Sequence, residues 1–279
     1  MRIENTQKHI YNYDDTKPLY SSENSKVYIA DDITFNRKVC LKIMHLNNDI
    51  QKAENNIKKE IIALSKAGSA TSHVPMLLDY WTDPRTKCFY IVMQLIHGES
   101  LRKKLEYTNR NTFNNWMISL CDTLQSVHSE RVMHKDIKPE NVMITPSGDV
   151  YLIDFNISIG KPNLKEGTEF YRAPEMYQTG ITVARNQSDI FSIGVIMYEY
   201  YTKKKPVEGV NYGTDMFSAS GSDWGYFTSP CTLTPGMPKS LNAIIEKCMK
   251  KNPEHRYRQA SELKRDLVKV AKEIRGWTN

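Results

Sequence analysis

Cysteine chemistry, membrane-spanning runs and concentrated charge are all missing from this 279-residue chain. Its five cysteines (Cys40, Cys88, Cys121, Cys231 and Cys248) include no CxxC pair and are odd in number, so neither a zinc site nor a disulfide framework is indicated. Cys40, Cys121 and Cys248 lie in apolar contexts and read as small core residues in a reducing compartment. The longest apolar run, 190–198, falls far short of the ~20 residues a bilayer span needs. Residues 1–9 are polar and offer no signal-peptide core. A net charge of +6, spread diffusely, suits a nucleotide or acidic peptide partner but forms no stripe for nucleic acid. There is no internal repeat and no low-complexity tract. The expectation is a soluble, cytoplasmic chain with no nucleic-acid or membrane partner, long enough to bury one large core or two.

Hydrophobic period supplies the architecture. Residues 26–30 and 38–43 read as strands flanking a turn at Asp31-Asp32, and 86–94 reads as a third, buried strand. Between them Ile57, Ile61 and Leu64 recur at helical spacing, and Glu60 falls on the same apolar stripe. An inward carboxylate is costly unless paired, so Glu60 demands a cation inside the fold. Beyond Gly98 the pattern turns helical, over 113–129, 189–201, 241–250 and 261–274. Strands first and helices after predict an α+β chain, with a smaller, mostly β part over 1–96 and a larger, mostly helical part over 97–279. Residues 205–238, rich in Gly, Ser, Thr and Pro, read as a long surface excursion.

The chemistry is concentrated in two short runs. His134-Lys135-Asp136-Ile137-Lys138-Pro139-Glu140-Asn141 puts a carboxylate, a lysine and an amide on one loop. Asp154-Phe155-Asn156 follows the apolar Tyr151-Leu152-Ile153, so Asp154 should emerge from the end of a buried strand. Phosphoryl transfer needs such a set: a base for the hydroxyl, a cation on the moving group and oxygen ligands for magnesium. Each residue alone is an ordinary loop polar residue; the joint occurrence makes the signal.

Order and spacing resemble the catalytic loop and metal-binding element of the eukaryotic-like (Hanks-type) serine/threonine protein kinases, and the resemblance runs over nearly the whole chain. It implies a bilobal fold, a single kinase domain over 1–279, and transfer of the ATP γ-phosphate to protein hydroxyls. Lys42, in Val39-Cys40-Leu41-Lys42, is similar to the kinase lysine and would be the cation Glu60 requires. Asp136 would orient the substrate hydroxyl, Lys138 would neutralise the phosphoryl group in flight, and Asn141 and Asp154 would hold magnesium, with manganese as an alternative. Met93 would back the adenine pocket, Gln94 and Ile96 would offer backbone groups to its edge, and Val27, Cys40 and Met143 would cover its faces. Gly167-Thr168-Glu169-Phe170-Tyr171-Arg172-Ala173-Pro174-Glu175 resembles the end of an activation segment, with Glu175 paired to Arg256. Asp189 resembles the anchor of the catalytic loop. Thr168 with Lys138 looks like a serine/threonine rather than a tyrosine kinase.

The chain also departs from that family. Tyr20, Ser22 and Ser25 replace the three glycines of the phosphate loop, and Glu23 stands where a phosphate oxygen would approach. Ser22 and Glu23 would still face the phosphates, with ATP binding weakened rather than abolished. Asn156 replaces a glycine, and Lys135 replaces the arginine that grips a phosphorylated side chain. Between Asn156 and Gly167 the one hydroxyl is Ser158, so gating by activation-loop phosphorylation is not expected. Two alternatives stay open: a pseudokinase acting as a scaffold or allosteric partner, motivated by the missing glycines, and an enzyme phosphorylating a small molecule.

Overall fold

Strand-period segments in the first third of the chain find their outlet in a curled antiparallel sheet. The computed structural model describes residues 1–5, 7–23, 25–46, 50–155, 168–177, 185–206 and 227–277, with backbone alone at 50–56, 168, 169 and 177. Asn156, Ser158 and Gly167, and most of the excursion, lie outside the described residues. The chain divides into two compact units, Met1–His97 and Gly98–Asn279.

The first unit carries β1 (Arg2–Glu4), β2 (Ile10–Tyr13), β3 (Tyr20–Ser21), β4 (Ser25–Asp32), β5 (Arg37–His45), α1 (Ile50–Ala70), β6 (Leu77–Asp83) and β7 (Cys88–Gln94). The sheet order is β1-β2-β4-β5-β7-β6, with β3 beside β4. Register places Val27 opposite Lys42, Ile29 opposite Cys40 and Cys40 opposite Met93, so these residues share one face. The other face is the core: Tyr28, Val39, Leu41, Tyr90 and Val92 pack with Tyr11 and Trp81. Tyr11 of β2 stacks on Trp81 of β6, ring centroids 5.5 Å apart. Its hydroxyl donates to Asp79 at 2.8 Å. Strands far apart in the sheet order therefore meet, and the right-handed twist has curled the sheet onto its own core.

The turn expected at Asp31-Asp32 lies instead at 33–36. Both aspartates stay in β4 because each finds a cation across the strand pair. Lys38 Nζ is 2.8 Å from Asp31, and Arg37 Nε is 3.0 Å from the buried Asp32. Cys40 is half-buried rather than a core residue, whereas Cys121 and Cys248 are fully buried.

The second unit holds β8 (Glu99–Ser100), α2 (Leu101–Lys104), α3 (Arg110–Ser129), β9 (Val142–Ile144), β10 (Val150–Leu152), α4 (Asn186–Thr202), α5 (Pro230–Leu233), α6 (Lys239–Cys248) and α7 (Ala260–Gly276). The short α5 falls inside the 205–238 stretch; Pro230 at its first position starts that turn. Helix α4 is buried nearly all round, as its continuous apolar sequence requires. It passes so close to α6 that a Cβ on Gly194 would lie 2.6 Å from Cys248 Cβ, so only glycine fits. The small sheet β10-β9-β8 carries the loop between α3 and β9.

Candidate active site

One buried carboxylate organises the loop before β9. Asp189, in the first turn of α4, accepts the backbone N–H of Lys135 at 2.8 Å and of His134 at 3.0 Å. Its Oδ2 also meets His128 Nε2 at 2.8 Å. Burial alone would push the Asp189 carboxyl up, but the bond and charge of His128, with the loop N–H groups, hold it below the ordinary carboxylate value. The two N–H bonds have structural work to do, since Lys135 sits at φ 68, a left-handed conformation that a lysine adopts only when its surroundings impose it.

The loop so held brings together the predicted polar residues. Lys138 Nζ lies 3.0 Å from Asp136 Oδ2. Asn141 Nδ2 donates to the Asp136 carbonyl at 2.8 Å and to Asp136 Oδ2 at 3.1 Å. Burial works against the Lys138 charge, yet Asp136 first, then Asp154 and Glu140, more than offset it and raise its pKa. Lys138 therefore stays protonated at neutral pH.

Ile153, after β10, ties the second run to the first. Its N–H donates to the Asn141 carbonyl at 2.9 Å, and its carbonyl accepts His134 Nε2–H at 2.9 Å. His134 Nδ1 accepts the Asp136 N–H at 3.3 Å, which assigns a neutral tautomer. The imidazole is fully buried and its ring meets Phe155 edge-on at 4.7 Å, so it packs the loop. Asp154 then takes φ 62. It is the second left-handed non-glycine residue among the predicted chemistry-bearing segments, two positions past the three-residue β10. The oxygen donors suit a hard divalent cation: with Nδ2 spent on Asp136, the Asn141 amide keeps Oδ1 for it, and Asp154 adds a carboxylate.

In the first unit Lys42 Nζ lies 2.7 Å from Glu60 Oε1, with both side chains 5% exposed. Strand β5 and helix α1 each bury one charge against the other. The phosphate loop closes without glycine: Ser22 N–H donates to the Ser25 carbonyl at 2.8 Å, and no described residue of the loop has positive φ. Glu23 is exposed and Val27 half-buried. Met93 and Ile96 are half-buried. The Gln94 N–H donates to the Met76 carbonyl at 2.8 Å. In the second unit Met143 is half-buried on β9, opposite Tyr151. The Thr168 backbone belongs to a short 3-10 turn, Thr168–Tyr171, that its side chain is not described in.

Glu175 meets Arg256 through two parallel bonds of 2.8 and 2.9 Å, and Arg256 is 3% exposed. Two participants escaped sequence reasoning. His128 lies on the apolar stripe of α3 beside Leu124 and Val127, so the argument applied to Glu60 would have found it. Arg102 had no such signal: it donates to Glu140 at 2.7 Å, to Glu199 at 2.7 Å and to the Tyr171 hydroxyl, which in turn bonds Glu199. These four residues come from four separate segments.

Comparison with known proteins agrees with this geometry. Residues 13–268 match the family model described as protein kinase domain. A probable serine/threonine-protein kinase of Clostridium acetobutylicum is 29% identical over 255 residues, covering 88% of this chain and 37% of that protein. The serine/threonine-protein kinase PrkC of Bacillus subtilis is 26% identical, covering 87% and 38% respectively. PknB of Mycobacterium tuberculosis is 27% identical, covering 88% and 41%. The chain thus spans about two fifths of the length of these curated relatives. No helix among the described residues is long and apolar enough to cross a membrane. With the loop from His134 held by Asp189 and the family model matched from 13 to 268, the chain belongs to the protein kinase domain family.

Proposed function

We propose that this chain transfers the γ-phosphoryl group of ATP to serine and threonine hydroxyls of proteins, as a single kinase domain whose two units are its lobes. The observation that carries the reading is the Asp136–Lys138–Asn141 cluster, with the Lys138–Asp136 contact at 3.0 Å, on a loop held in strained conformation by a buried carboxylate. Asp136 orients the acceptor hydroxyl and takes its proton. Lys138, kept protonated by Asp136 and Asp154, neutralises charge on the phosphoryl group in transit. Asn141 and Asp154 would hold magnesium, or manganese in its place, which when bound supplies charge neutralisation on the phosphate oxygens. Lys42, fixed by Glu60, would contact the α- and β-phosphates, and Ser22 and Glu23 would border them. On the face shared with Lys42, Val27, Cys40 and Met93 offer apolar surface to adenine. Ile96 offers backbone groups, and Thr168 would contact the loop lysine and fix serine/threonine preference. The names of the relatives support this preference. A cytoplasmic location is proposed from the sequence.

Intact-protein mass spectrometry after incubation with ATP and magnesium, with a generic protein substrate and an Asp154→Ala control alongside, tests the reading. Phosphate added by the parent alone is expected. Nucleotide binding without transfer to itself or any substrate would instead support the pseudokinase reading.

A further inference from the structure

Arg102, on the four-residue helix α2, reaches three segments of the second unit that are remote from it in sequence. Its Nε donates to Glu140 Oε1 at 2.7 Å, its Nη1 to Glu199 Oε1 at 2.7 Å, and its Nη2 to the Tyr171 hydroxyl. That hydroxyl donates in turn to Glu199 Oε2. Each nitrogen of one planar guanidinium thus serves a different element: the 3-10 turn Pro139–Asn141, helix α4 and the 3-10 turn Thr168–Tyr171. A lysine could not do this, because a single ammonium lacks the fixed fork that sends donors in three set directions.

The surroundings make these bonds count. Tyr171 is 3% exposed, and Leu101, fully buried, fixes α2 beside it in the chain. Burial works against the Arg102 charge, yet the bonds to Glu199 and Glu140 outweigh it and lift its pKa above the ordinary arginine value. Burial first, and then Glu199, keep the Tyr171 phenol protonated, so its hydroxyl remains a donor. Glu140 lies between Lys138 and Asn141, two of the residues proposed for the chemistry. Tyr171 leads into the stretch that ends at Glu175, and its carbonyl accepts the Ser192 hydroxyl of α4 at 2.7 Å. Without the guanidinium, the like charges of Glu140 and Glu199 would lose the group that both of them bond.

We propose that Arg102 is a positioning residue for phosphoryl transfer, fastening the catalytic loop at Glu140 to the Tyr171–Glu175 segment through Glu199. The inference rests on the proposed kinase function. None of the four residues belongs to the groups proposed to touch nucleotide, metal or acceptor hydroxyl. Arg102 acts through Glu140, whose turn carries Asn141 and follows Lys138, and through Tyr171, whose turn begins at Thr168. One charged group thereby keeps two loops in register that the sequence separates by about thirty residues.

Transfer rates with a generic protein substrate, and amide exchange followed by mass spectrometry, test this on the full chain. In Arg102→Met, kcat should fall about ten- to a hundredfold, the effect of a displaced catalytic group, with the KM for ATP within about twofold of the parent. A merely stabilising role would leave the kcat of the folded protein unchanged. Arg102→Lys keeps the charge and loses the fork, so it should stay within about threefold of Arg102→Met. The Asn141 N–H, bonded to the Lys138 carbonyl at 2.9 Å, and the Met176 N–H, bonded to the Ala173 carbonyl at 3.0 Å, report on the two segments. Exchange over 134–144 and over 170–176 should quicken together, roughly tenfold, in Arg102→Met, with α7 unchanged. The proposal is overturned if either variant keeps the kcat of the parent, or if the two segments do not respond together. A parent that transfers no phosphate overturns the proposed function instead, and exchange then still decides whether Arg102 joins the two segments.

Discussion

Removing the charge of Lys42 should damage this protein in two separable ways. Lys42 and Glu60 are 4% and 3% exposed and 2.7 Å apart, so neither charge is solvated by bulk water. Lys42→Met leaves Glu60 buried without its cation. Breaking a buried pair from one side costs about 3–5 kcal/mol, mostly desolvation of the charge left behind. Removing both charges, in Lys42→Met/Glu60→Leu, replaces the pair by apolar side chains of similar size and should recover most of that loss. Urea denaturation followed by circular dichroism supplies the stabilities, and the double-mutant cycle isolates the pair. Phosphate transfer should fail in both variants, because the cation proposed for the phosphates is gone in each. Stability recovered without activity would separate the structural from the chemical role of Lys42. A single variant within about 1 kcal/mol of the parent, or a double variant no more stable than the single, would refute the burial argument. An active Lys42→Met would refute the chemical one.

Other perturbations follow from the same geometry. Arg256→Met leaves Glu175 its bond from the Ser188 hydroxyl but not its cation, and abandons the carbonyls of Lys250, Lys251 and Gln187, so a loss of about 3–5 kcal/mol is expected in urea unfolding. Gly194→Ala presses a methyl against Cys248 and Met249 and should cost about 1–3 kcal/mol, read as a lower melting temperature. Asp189 is held below its unfolded value of 3.8, so its contribution is complete above that value and is lost as pH falls through the folded pKa. Stability of the parent should therefore drop more steeply than that of Asp189→Asn as pH is lowered below about 3.8, measured by urea midpoints. Glu23→Gln removes a charge from the phosphate loop and should lower the KM for ATP about fivefold, the worth of about 1 kcal/mol at contact distance in water.

Which parts were legible follows from where each residue's conformation is decided. Helices α3, α4, α6 and α7 were visible because their apolar period is sustained over many residues, and α1 because Ile57, Ile61 and Leu64 keep the stripe. Strand β6 was not: its register shifts at a bulge between Leu77 and Asp79, so the alternation that marks a strand is broken. The turn after β4 was misplaced because aspartates usually mark turns, and nothing local says that Arg37 and Lys38 will hold them in the sheet. The candidate site divides in the same way. Asp136, Lys138, Asn141 and Asp154 stand out by spacing, yet the strain that shapes their loops is invisible in the sequence. Lys135 and Asp154 are ordinary residues in left-handed backbone, and what holds Lys135 there is Asp189, more than fifty positions downstream. Local preference is overruled at these loops by long-range hydrogen bonds, and such overruling is expected where a fold gives up local comfort for chemistry. The same contrast applies to the phosphate loop, where serine closes the hairpin that glycine would have closed. Among the described residues the local rule is satisfied there, and the charge of Glu23 is the departure from the family that remains.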